Sequence, residues 1–102
     1  MPRDPAASLV RALLADAAAA GCRAQAVAVE TSDWSSATFT GARHRILLSA
    51  PADDPIDRWL RHLRGAALRL PRQLLGDLSA TRAGRNGAQQ RIAVSALTLD
   101  DG

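Results

Sequence analysis

The chain has 102 residues, one Cys, 47% hydrophobic residues and a net charge of +3, and all 13 of its basic side chains are Arg. That length supports one hydrophobic core without metal or disulfide staples, and a lone Cys excludes an intramolecular disulfide and fits a reducing, cytoplasmic compartment. No apolar run approaches the about 20 residues of a membrane-spanning helix, and Met1-Pro2-Arg3-Asp4-Pro5 opens no secretion signal because Arg11 and Asp16 interrupt the apolar stretch behind it.

Asp4-Pro5 predicts a helix start, with an acidic N-cap and a Pro in the first turn. The Ala- and Leu-rich stretch to Ala20 continues the helix, with Leu9, Leu13, Ala17 and Ala20 on one face. Gly21 supplies the left-handed residue that ends it. From Arg23 the period becomes two: Val27 and Val29 share one strand face, and Ala26, Ala28 and Glu30 the other. Thr31 to Ser36 is polar and reads as a link to the next strand, Thr38 to Leu48. That strand holds the only Phe of the chain, a His and a mid-strand Gly; Gly41 predicts a β-bulge.

Pro51 to Pro55 breaks the strand, and Asp53 or Asp54 caps a second helix with the apolar stripe Ile56, Trp59, Leu60 and Leu63, ended by Gly65. Ala66 to Leu70 reads as a short extended piece. Gln73 to Arg82 is the third strand, with Leu74, Gly76, Leu78 and Ala80 on one side. Gly84-Arg85-Asn86-Gly87 signals a hairpin, and Gln89 to Leu99 is the last strand. Residues 1–3 and 100–102 are expected to fray.

These elements predict a single α+β domain over residues 1–102, in the order α-β-β-α-β-β: a four-stranded antiparallel sheet with two helices on one face. One arrangement of that order is a circular permutation of the ferredoxin-like sandwich, in which the last strand pairs with the second and the first and third form the edges. A meander of two adjacent hairpins is the alternative. Ile46-Leu47-Leu48 and Ile92-Ala93-Val94 suit central strands. Two helices cover one face only. Alternation then assigns Ala26, Ala28, Arg43, Arg45, Leu47, Ala93, Ser95, Leu97 and Leu99 to an open face, and such mixed, partly apolar faces commonly find partners.

Candidate chemistry is sparse. Cys22, His44 and His62 form no metal-ligand spacing, and the glycines lack a phosphate-loop ending, so no cofactor is expected. Cys22 follows a helix C-terminus, where the dipole opposes a thiolate; it reads as a small buried apolar residue. His44 stands between Arg43 and Arg45 with no nucleophile or carboxylate at a recognisable spacing. A contact surface of Trp34, Arg43, His44, Arg45, Leu47 and Leu97 is expected. Arg58, Arg61 and Arg64 form a candidate anion-binding surface. However, the absence of Lys and an Ala-plus-Arg share of about a third match the codon bias of a GC-rich bacterial genome, and acidic residues at the same helix start partly cancel the patch. The expected function is a small, non-enzymatic, cytoplasmic bacterial protein that self-associates as a homodimer, or binds a protein partner, through its open sheet face. Arg-mediated nucleic-acid binding is the alternative, and an enzyme using His44 the third reading.

Overall fold

A computed structural model describes residues 4–63 and 68–100. Helix α1 spans Pro5–Ala19, strand β1 Gln25–Ser35, β2 Thr40–Pro51, helix α2 Asp54–His62, β3 Gln73–Asn86 and β4 Gln89–Asp100.

Both helix starts follow from Asp caps. The Asp4 carboxylate accepts hydrogen bonds from the Ala6 and Ala7 amides at 3.0 and 3.3 Å, and Asp53 accepts from the Ile56 amide, which leaves Asp54 in the first turn of α2. At the far end of α1, Gly21 has φ +81°, and the amides of Gly21 and Cys22 donate to the carbonyls of Ala18 and Ala17. This is a Schellman closure, and it requires the left-handed residue there. Helix α2 stops at His62, whose Nδ1 lies 2.8 Å from the Arg58 carbonyl oxygen. The predicted stop at Gly65 and the extended piece from Ala66 fall partly outside the described residues.

The four strands form one antiparallel sheet in the order β1-β2-β4-β3. That is the order of the permuted ferredoxin-like arrangement, and it excludes the meander. Ile46, Leu48 and Ala50 of β2, with Ile92, Val94 and Ala96 of β4, form one core with Leu9, Leu13 and Ala17 of α1 and Ile56 and Trp59 of α2, and Ala42 and His44 of β2 are buried as well. Trp59 also donates its indole N–H to Asp16 at 2.8 Å, which ties the two helices together.

The strands run further than their composition predicts. Thr31 to Ser35 is strand, paired through Ser35 opposite Thr40. An edge strand exposed on both faces needs no apolar alternation, so its polar residues read as a loop. Phe39 is correspondingly in the turn and 47% exposed. Gly41 forms no bulge: it pairs in register with Trp34 and Leu99, and its glycine is required because a Cβ would run into the Thr98 carbonyl oxygen. The bulges fall instead between Ala26 and Ala28, between Leu75 and Asp77, and between Arg82 and Gly84. Each inserts a residue and reverses the alternation beyond it. Ala26 therefore sits opposite Leu48 on the helix side while Ala28 sits opposite Leu47 on the open side. Leu74 likewise parts from Leu78 and Ala80. In the β3–β4 hairpin the positive φ belongs to Gly87, at +63°, and not to Asn86; a Gly at the first central position is the type II′ pattern.

Candidate functional site: the open sheet face

The face turned away from the helices is laid out by register. From β1 to β3, one row reads Trp34, Gly41, Leu99, Leu74; the next Ser32, Arg43, Leu97, Asp77; then Glu30, Arg45, Ser95, Ser79; then Ala28, Leu47, Ala93, Thr81. Trp34, Arg43, Leu47 and Leu97 are half-buried and Arg45 is exposed. Five of the six residues expected at a contact surface thus share one face. The sheet twist hollows its middle into a shallow trough of about 450 Å³ floored by Arg45, Leu47, Ala93 and Ser95.

His44 does not belong to that face. It is fully buried on the helix side, opposite Thr31 on β1. Its Nδ1 is 3.0 Å from Thr31 Oγ1, and its Nε2 is 2.9 Å from Thr98 Oγ1. The Thr98 hydroxyl donates onward to the Ala42 carbonyl. Its oxygen therefore accepts from Nε2–H, and Nδ1 is left to accept from the Thr31 hydroxyl. Both ring nitrogens are spent on a chain that joins β1, β2 and β4. Burial pushes the His44 pKa below its ordinary value, against a smaller upward pull from Asp4. A strand with strict alternation puts residue 44 with 46 and 48, so the burial of Ile46 already carried the signal. The charge of the flanking Arg43 and Arg45 obscured it.

Burial likewise pushes the Cys22 thiol up, with Asp53 adding to it; the residue packs in the core beside Ala17. Among the described residues no group of three His, Cys, Asp or Glu side chains could hold a metal ion, and no helix is long and apolar enough to cross a membrane.

Arg58 and Arg61 are exposed on α2, and Arg64 lies outside the described residues. Because α2 covers the helix side, Arg58 and Arg61 are separated by the thickness of the sheet from Arg43 and Arg45. Asp57 on the same helix pairs with Arg82 of β3. Of the acidic members of the open face, Glu30 keeps the side that alternation gives it with Ala28, while Asp77 is set beside Leu74 on that face by the bulge at Gly76. Compared with known proteins, the chain matches no family model, no curated protein and no solved structure.

Proposed function

We propose that this protein acts as a binding module that self-associates into a homodimer by packing the open sheet face against a second copy. The observation that carries the reading is the composition of that face. Trp34, Leu47, Leu74, Leu97 and Leu99 are interleaved with Arg43, Arg45 and Arg91 and with Glu30 and Asp77. A phosphate-binding surface gains affinity from uniform positive charge. A face of nearly balanced charge with apolar residues between is instead suited to a surface carrying the same mixture. Four strands of about twelve residues make a planar face of about 700 Å², close to the ~800 Å² per partner of a standard interface. The lone buried Cys22 suits a reducing bacterial cytoplasm.

Sedimentation velocity over a concentration series tests the reading. A dimer is expected at micromolar concentration, and Leu97→Arg should convert it to monomer without lowering the melting temperature of the monomer. A strict monomer at high micromolar concentration overturns the proposal.

A further inference from the structure

We infer that the second copy docks with its two-fold axis running along β4, so that Arg43 of each copy faces Asp77 of the other. This rests on the self-association reading and adds a defined orientation to it.

Arg43 on β2 and Asp77 on β3 flank the same residue of β4, Leu97, from its two sides. A two-fold axis parallel to β4 exchanges the β2 and β3 columns between copies. It therefore lays Arg43 over Asp77, Asp77 over Arg43, and Leu97 over Leu97. Among the described residues neither Arg43 nor Asp77 has an ion-pair partner within the chain, so both charges are open to one.

The neighbouring rows fit the same operation. Gly41 and Leu74 flank Leu99, so the exposed Leu74, at 51%, lands where Gly41 projects no side chain. Arg45 and Ser79 flank Ser95, and Leu47 and Thr81 flank Ala93. Small residues on the axis thus leave room for the long ones beside it. Basic meets acidic in the Arg43–Asp77 row, Leu97 and Leu99 each meet their own copy on the axis, and in the other flanking positions a longer side chain meets a shorter one. Along β4 the one like-charge meeting, Arg91 with Arg91, falls in the next row toward the β3–β4 hairpin, whereas an axis perpendicular to the strands through the Arg45–Ser95 row stacks Arg45 on Arg45 and Glu30 on Glu30 at its centre and gives neither Arg43 nor Asp77 an opposite charge. Sheets packed face to face keep their strands within about 30° of each other, so rows near the centre stay in correspondence. The three overlapped strands bury a planar footprint of about 500 Å² per copy, or about 1,000 Å² in all, the lower limit for a specific interface.

The test is a charge exchange read by sedimentation equilibrium, with circular dichroism melting as the folding control. Arg43→Asp and Asp77→Arg should each weaken dimerisation by about tenfold or more, and the double variant should recover to within about threefold of the unaltered chain. Both positions are on the open face, so each variant is expected to fold. Should either variant fail to fold, Arg43→Gln and Asp77→Asn probe the same contact, each weakening dimerisation and the double variant weakening it no further than one alone.

The outcomes separate the two levels of the argument. A dimer that Leu97→Arg disrupts but that ignores both single reversals, or a double variant no better than the singles, overturns the orientation and leaves the face. A strict monomer overturns both. If that monomer raises the fluorescence anisotropy of a labelled oligothymidylate at low salt, the face belongs to nucleic acid.

Discussion

Leu47 and Leu48 are neighbours in β2, yet Leu48 is fully buried beneath the helices and Leu47 lies half-exposed on the open face. The same division runs the length of the strand. On one side Ala42, His44, Ile46, Leu48 and Ala50 form core; on the other Gly41, Arg43, Arg45, Leu47 and Ser49 form surface. The helix side is specified by volume and by satisfied polar atoms, as His44 demonstrates with a hydrogen bond at each ring nitrogen. The open side is specified by the order of charge and size across four strands. Adjacent residues in one strand therefore answer to different physics, the first to packing within the chain and the second to whatever meets it from outside.

The comparison is most directly broken by truncating each leucine in turn. Leu48→Ala leaves a core cavity and should cost about 3 kcal/mol in urea unfolding. Leu47→Ala, measured below the association range, should cost under about 1 kcal/mol. Equal losses would mean that the two faces are not distinct. A smaller effect is expected at the tie between the helices. Asp16→Ala removes the acceptor of the Trp59 indole N–H without touching the core ring, for a loss of about 1 kcal/mol in the same unfolding measurement.

The smallest effect concerns protons. Burial holds the folded-state pKa of His44 below its ordinary value of 6.5, so the unfolded chain takes up that proton first. The stability contributed by neutral His44 is complete above about pH 6.5 and declines as pH falls from there toward the lower folded-state pKa. Subtracting the stability–pH curve of His44→Gln, which does not titrate there, should isolate that decline. A difference curve that is flat through this window would contradict a buried neutral imidazole. Replacing Arg45 on the opposite face should leave the window unchanged.

Much of the fold was legible because its signals are local. Asp-Pro pairs before apolar periodicity start both helices, Gly21 ends the first, and the runs at Ile46 and Ile92 mark the two central strands. Local chemistry also explains why these features survive in isolation: a cap or a left-handed turn is satisfied by atoms a few residues away. The misplaced features are those whose cause lies on another strand. Thr31 to Ser35 is strand only because β2 lies beside it. Gly41 is glycine because the Thr98 carbonyl, far along the chain, approaches it.

Composition and periodicity by themselves determined the class, the element order and the identity of the central strands. Tertiary structure alone decided which residues reach the open face. Bulges invisible to a two-residue period moved Ala26 to the helix side and set Asp77 on the open one beside Leu74. One inserted residue reverses every side chain that follows it until the next insertion, so the charge pattern of a sheet face exists only once the strands are paired.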